Sequence, residues 1–266
     1  MTDRRPLDRT VLSQLAGTGP WTEVAVHDVI DSTNAEVARL ARSGAAAGHV
    51  VTAEHQSEGR GRAERGWESP SGAGLAVSML LRPTVPQGRW SWLPLLAGVA
   101  LADAVGEVTG LDAALKWPND LLLTEAAHKA AGILAEVAGG AVVLGVGLNV
   151  TLTRDELPRA DTTSLRLAGA TELDRTRLLC ALVTGFGRRY QRWLGYGGDP
   201  ELSRLRRDYR TYCHTLGRQV RVELPHGDRI LGVADDIDQD GRLVVDTGDE
   251  RIAVAAGDVH HVRLRH

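Results

Sequence analysis

Residues 130–150 read AAGILAEVAGGAVVLGVGLNV. Two apolar runs, 130–137 and 141–150, have few polar breaks, as inner strands of a sheet do. The Gly139-Gly140 pair between them reads as a tight turn, so the runs predict an antiparallel pair. Working outward, 49–54 (HVVTAE) and 74–81 (GLAVSMLL) predict further strands, and 115–117 a short one stopped by Pro118. Helical spacing appears at 35–42, 90–108, 175–194 and 201–212. Thr33 and Glu36 form a T-x-x-E pattern that predicts a capping box for the first of these. Residues 55–73 are polar and rich in Gly and Arg, so they predict a long loop. Beyond Gly217, short strands at 220–224, 229–237, 242–246 and 251–255 are separated by turn residues and predict a small SH3-like barrel. The chain is therefore expected to be α+β: a mixed-sheet domain over 1–216 and a β-barrel over 217–266. Residues 1–22 show a short helical pattern around Val11, Leu12 and Leu15 and no motif, so a chain starting at Asp28 is expected to keep its activity.

Composition narrows the function classes. The 266 residues carry 31 Lys and Arg against 34 Asp and Glu, a formal charge of -3, which argues against a chain built to coat DNA or an anionic membrane. Only two of the 31 basic residues are lysines, Lys116 and Lys129; the other 29 are arginines. A lysine that survives such a bias is a candidate for a place that needs a compact point charge rather than a planar fork. The cysteines, Cys180 and Cys213, have no metal-binding spacing, and Cys180 lies in an apolar run that predicts a buried free thiol, as in a reducing cytosol. No apolar leader precedes residue 22 and no window reads as membrane-spanning, so the expectation is a cytoplasmic protein without a membrane partner.

Three segments could carry chemistry, each with a plainer reading beside it. Residues 58–67 (EGRGRAERGW) combine glycines, whose N–H groups can approach a ligand, with Arg60, Arg62 and Arg65 as forked donors and Trp67 as a flat surface; a solvated loop is the alternative. Lys116 in KWPND sits at the inner end of an apolar strand, where it must be solvated, paired or ligand-bound; an edge-guarding lysine is the alternative. Gly145 and Gly147 clear one face of a strand for a ligand or for a closely packed neighbour. Their G-x-G lacks a third glycine and a following helix, which excludes a dinucleotide-binding reading. Asp31-Ser32-Thr33-Asn34 alone is a helix cap. There is no HExxH and no recurring pair of carboxylates at catalytic spacing.

The order of these pieces is more specific than any one of them. DSTN (31–34), AEHQ with GRGR (53–62), KWPND (116–120), HKAAGILAE (128–136) and GVGLNV (145–150) together resemble the biotin protein ligases, or biotin–[acetyl-CoA-carboxylase] ligases, over residues 28–262. The resemblance implies a catalytic domain related to class II aminoacyl-tRNA synthetases followed by an SH3-like domain. It implies two steps: biotin carboxylate attacks the α-phosphate of MgATP to give biotinyl-5′-AMP, and a lysine of a biotin carboxyl carrier domain then takes the biotin. Lys116 and Arg62 are implied as catalytic. Ser32, Thr33, Asn34, Gln56, Arg60, Gly61, Arg62, Lys116, Gly145 and Gly147 are implied around biotin, and Arg62, Arg65, Trp67, Lys116 and Asn149 around the nucleotide. Mg²⁺ is expected on the nucleotide rather than in a protein-built site. Lys116 is expected to be shielded in the site, and adenylate leaking from an Arg62→Gly variant is expected to label mainly Lys129 and the N-terminal amine.

The sequence departs from the family pattern at Glu58, at Glu64, where the loop usually has glycine, and at His128 and Ala130. Some family members carry an N-terminal DNA-binding domain; residues 1–22 are too short for one, so a ligase that binds no DNA is expected, as a monomer or weak homodimer. A lipoate–protein ligase and a non-catalytic biotin or adenylate sensor are the alternatives; an intact Lys116 and Arg62 weigh against the sensor.

Overall fold

The computed structural model describes residues 4–62, 65–225 and 227–262; Glu64 therefore lies outside the described residues. The chain opens with a five-residue helix, α1 (Arg9–Ser13), capped by the Asp8 carboxylate, and a strand that the sequence reading did not include, β1 (Glu23–Ile30). There follow α2 (Thr33–Arg42), β2 (His49–Gln56), β3 (Gly74–Leu81), α3 (Trp92–Thr109), β4 (Ala114–Lys116), β5 (Asp120–Leu123), β6 (His128–Ala138), β7 (Ala141–Asn149), α4 (Arg175–Gly195) and α5 (Leu205–Tyr212). The seven strands form one sheet in the order β1-β2-β3-β7-β6-β5-β4. β1 and β2 run parallel and the other neighbours antiparallel, so the sheet is mixed as expected. Gly139 and Gly140 take φ of 53° and 67°, the left-handed conformation that a two-residue hairpin turn between twisted strands requires.

Strand alternation divides the interior in two. Val142, Leu144, Val146 and Leu148 of β7 join Val77, Met79 and Leu81 of β3 in the larger core, together with α3 and α4. Val143 and Leu80 point the other way, into a smaller core with Val37, Ala38 and Ala41 of α2. Gly145 and Gly147 continue the Val143 side. At Gly145 and Gly147 that face carries no side chains beside α2's N-terminal end, and the space left there becomes the site.

Several expectations are corrected. Residues 7–21 are part of the core: Leu7, Leu12, Leu15 and Trp21 are buried, and the Trp21 indole donates to Val183 O at 3.0 Å. The helix expected from 201 begins at Leu205, after Arg204 in a left-handed conformation (φ 64°). The buried cysteine is Cys213, while Cys180 is half-buried. Residues Gln87–Thr109 are long and apolar enough to cross a membrane by length and composition, contrary to the sequence reading; in the fold, α3 is a core helix with most of its side chains buried.

The C-terminal part is a five-stranded antiparallel sheet, not four-stranded: β8 (Gln219–Glu223), β9 (Arg229–Ile237), β10 (Leu243–Asp246), β11 (Arg251–Val254) and β12 (Asp258–His261), in the order β11-β10-β9-β8-β12. It is a small barrel-like unit pinned to the larger sheet. The indoles of Trp92 and Trp117 donate to Gln239 O at 2.8 Å and Gly241 O at 3.0 Å, both in the turn between β9 and β10. The backbone N–H of Trp117 donates to Thr215 Oγ1 at 3.1 Å, and that of His214 to Leu115 O at 2.7 Å.

Candidate active site

Four parts of the fold open onto one cavity of about 510 Å³, within the range of small-molecule and cofactor sites. The first is the N-terminus of α2. Ser32 is its N-cap but makes no side-chain capping bond, and the expected capping box does not form. The Thr33 side chain is used elsewhere: its hydroxyl and its N–H both donate to Gln56 Oε1, at 3.0 and 2.8 Å. Asn34 donates to Glu136 Oε2 at 2.7 Å and accepts from Ser78 Oγ at 2.6 Å. Ser78 Oγ also donates to Thr33 Oγ1 at 2.8 Å, so buried Thr33 and Asn34 are held by hydrogen bonds before a ligand arrives.

The second part is the cleared face of β7. A Cβ on Gly145 would stand 2.1 Å from Asn34 Oδ1, and one on Gly147 2.5 Å from the Trp67 ring. Both glycines are therefore required by close approach of side chains, and each of those side chains lines the cavity.

The third is the arginine loop, which is a small hairpin rather than an irregular loop. Arg60 and Gly66 form an antiparallel bridge, Gly61 N–H donates to Arg65 O at 2.6 Å, and Trp67 N–H donates to Gly59 O at 2.8 Å. Arg62 reaches down to Asn119 Oδ1 at 3.0 Å and Gly257 O at 3.5 Å, while Arg65 pairs with Asp258. Burial pushes the Arg62 guanidinium below its ordinary range, opposed by Asp258 and Asp120. Arg60 is exposed at the rim.

The fourth is the KWPND segment. Lys116 is half-buried at the end of β4 and, among the described residues, makes no ion pair. Burial pushes its ammonium below the ordinary lysine range; Asp120, Asp161 and Asp258 oppose this and Lys129 adds to it. A lysine so placed is a cation facing the cavity, suited to receive anions.

All the residues expected around biotin and the nucleotide line this cavity except Asn149. Asn149 is buried, outside the lining, and gives its amide to Thr163 O at 2.9 Å. The cavity also has walls the sequence reading missed. Asp120 and Lys129 both line it and form an ion pair at 2.6 Å. Arg159, Asp161 and Thr162 come from the segment after β7, and Asp258 and His260 from β12 of the C-terminal sheet. The rarity of lysine was a signal for Lys129; nothing in the local pattern marked β12. Among the described residues no three His, Cys, Asp or Glu side chains gather as a metal site.

The chain matches the Biotin/lipoate A/B protein ligase family over residues 26–152 and the biotin protein ligase C-terminal domain over 215–262. It is 43% identical to the biotin–[acetyl-CoA-carboxylase] ligase of Mycobacterium tuberculosis, covering 99% of this chain and all of that one. It is 31% identical to the bifunctional ligase/repressor BirA of Bacillus subtilis, over 88% of this chain and 72% of BirA. Its fold overlays the biotin protein ligase of Aquifex aeolicus, solved in complex with biotin and ATP, with a TM-score of 0.75 at 24% identity, covering 92% of this chain and 100% of the other. An identity of 43% sustained from end to end exceeds what a shared fold alone requires, and the chain belongs to the biotin protein ligase family.

Proposed function

We propose that the cavity is where this biotin protein ligase makes biotinyl-5′-AMP, with Lys116 between the two reacting anions. Biotin and ATP are the substrates, ATP entering as its magnesium complex. The biotin carboxylate oxygen attacks the α-phosphorus, the bond to the β-phosphate oxygen breaks, and pyrophosphate leaves. Two anions must meet, so a fixed cation at the meeting point lowers the repulsion and stabilises charge that grows in the transition state. The Lys116 ammonium supplies it. An acceptor amine then attacks the carbonyl of the mixed anhydride, and AMP departs with both electrons of the broken bond.

The fixed polar groups of Ser32, Thr33, Asn34 and Gln56 suit the ureido ring of biotin, and the face over Gly145 and Gly147 suits its apolar body. Arg60 and Gly61 close over it. Arg62, Arg65 and Trp67 take the adenylate, the guanidiniums pairing with phosphate oxygens and the indole offering a flat surface to adenine. The acceptor is the biotin carrier domain of a carboxylase. The 1–216 and 217–266 parts serve as catalytic and closing domains, in a cytoplasmic protein that is a monomer or weak homodimer.

The observation that carries the reading is a half-buried lysine, without an ion pair among the described residues, facing the same cavity as the α2 N-terminus, the glycine face and the arginine loop. Incubation with biotin, MgATP and a biotin carboxyl carrier domain should biotinylate one carrier lysine, detected with streptavidin, and release pyrophosphate. Absence of both products would refute it.

A further inference from the structure

β4 is the end strand of the seven-stranded sheet and is only three residues long. Held on one side alone, so short a strand would fray. The chain covers its outer edge with the segment that joins the two sheets. Leu115 forms a parallel bridge with Cys213, and His214 N–H donates to Leu115 O at 2.7 Å. A regular parallel ladder would continue with Trp117 N–H on the His214 carbonyl. That carbonyl is instead taken by Arg218 Nε at 2.9 Å, and Trp117 N–H donates to the Thr215 hydroxyl at 3.1 Å. Lys116 therefore lies between two anchored neighbours, Leu115 and Trp117, both held by residues 213–215.

A hydroxyl rotates where a carbonyl does not, so this anchor needs a lock. Thr215 is fully buried, and its Oγ1 also lies 3.3 Å from His261 Nε2 on β12. The oxygen accepts from Trp117, so its own proton goes to a ring nitrogen that carries none. Burial, with the charge of Lys116 and then His214 and Arg218 beside it, pushes the His261 imidazole down to about 4, so the ring is neutral near pH 7. Those three are the charged and titratable groups that face it, Lys116 from β4 and the other two from the connecting segment. The Cys213 thiol also lies beside the hydroxyl; burial pushes it up, so it stays protonated and is the weaker acceptor.

We propose that Thr215, locked by His261, is a positioning residue for the adenylation: its hydroxyl fixes Trp117 N–H and so holds the end of β4 from which the Lys116 ammonium meets the substrate anions. This rests on the role of Lys116 proposed above. One hydroxyl thereby ties the lysine strand to β12, the strand that also lends Asp258 to the cavity.

Thr215→Val keeps the shape of the side chain and removes the acceptor. It should lower kcat for adenylate formation about tenfold, leave KM for biotin and MgATP within about twofold, and speed amide exchange at Trp117. Thr215→Ser keeps the hydroxyl and should restore both. His261→Leu should lower kcat about threefold, and His261→Gln, whose amide oxygen can take the place of Nε2, should restore it. Thr215→Val combined with His261→Leu should cost no more than Thr215→Val alone, because the histidine acts through the hydroxyl. In nitrogen-15 NMR of the ligand-free wild-type protein near pH 7, His261 should carry its proton on Nδ1 and none on Nε2. That spectrum judges the lock even where Thr215→Val fails to fold. A proton on His261 Nε2, an unchanged kcat in Thr215→Val, or additive losses in the double variant would overturn the proposal. Amide exchange and NMR need no substrate, so a wild-type protein that made no biotinyl-AMP would refute the proposed function while these two measurements still judged the anchor.

Discussion

At Lys116 the requirement is for charge in a small volume. The residue ends a three-residue strand, is half-buried, and faces the cavity beside Arg62 and Asp120. Lys116→Arg keeps the charge but spreads it over a planar fork that cannot occupy the same point between two anions. Adenylate formation, measured as pyrophosphate release, should fall by roughly a hundredfold or more, corresponding to about 3 kcal/mol of transition-state stabilisation, with the thermal unfolding midpoint little changed. A rate near wild type would refute the assignment. The same scale shows where single residues misled. Thr33 and Glu36 have the spacing of a capping box, but Thr33 donates to Gln56 and Glu36 pairs with Arg39. Polar residues at a helix start fit either a cap or a ligand pocket, and local spacing does not distinguish the two.

Among the elements, the inner strands were legible because they are buried on both faces and read as continuous apolar runs; β3 has the boundaries expected from its sequence. β1 and β12 were not. Both are edge strands of mixed polarity, β1 with Val29 exposed and β12 reading DVHH, so neither shows an uninterrupted run. Missing β1 led to the expectation that residues before Asp28 are dispensable. The packing argues for the opposite outcome. Removing residues 1–27 takes away buried Leu7, Leu12, Leu15 and Trp21 and more than half of β1. It also strips Glu54 of the Leu7 N–H at 2.6 Å, leaving that carboxylate to Arg175 alone among these two partners. Each buried side chain of this size contributes about 1.5–3 kcal/mol, so the loss is comparable to the whole stability of an ordinary domain. The truncated chain should be insoluble or lack a cooperative thermal transition. A soluble, cooperatively melting, active product would show that the N-terminal segment is only an appendage.

Across the whole molecule, the sequence changes near residue 216 from helical to short-strand patterning, but it carries no sign of how the two parts meet. The contacts are those of a shared core. Trp92 and Trp117 are both buried, one on α3 and one just after Lys116, and both complete their hydrogen bonding only on the turn between β9 and β10. On the other side of the site, Arg62 and Arg65 reach Gly257 and Asp258 at the start of β12. The C-terminal sheet therefore holds both the lysine strand and the arginine loop, and no pattern within residues 217–266 could reveal what it would be packed against. Unfolding should accordingly be a single event. Thermal denaturation followed by tryptophan fluorescence, which reports all six tryptophans, Trp92 and Trp117 among them, and by far-ultraviolet circular dichroism, which reports all the secondary structure, should give coincident transitions. A chain ending at residue 216 would bury or expose two indole N–H groups without their acceptors, at a cost of about 1–3 kcal/mol each where they remain buried, besides the apolar area uncovered. It should melt far below the full chain and form no adenylate. Two separate transitions in the full chain, or a residue 1–216 fragment as stable as the whole, would mean that the two parts fold independently and that the barrel only touches the site.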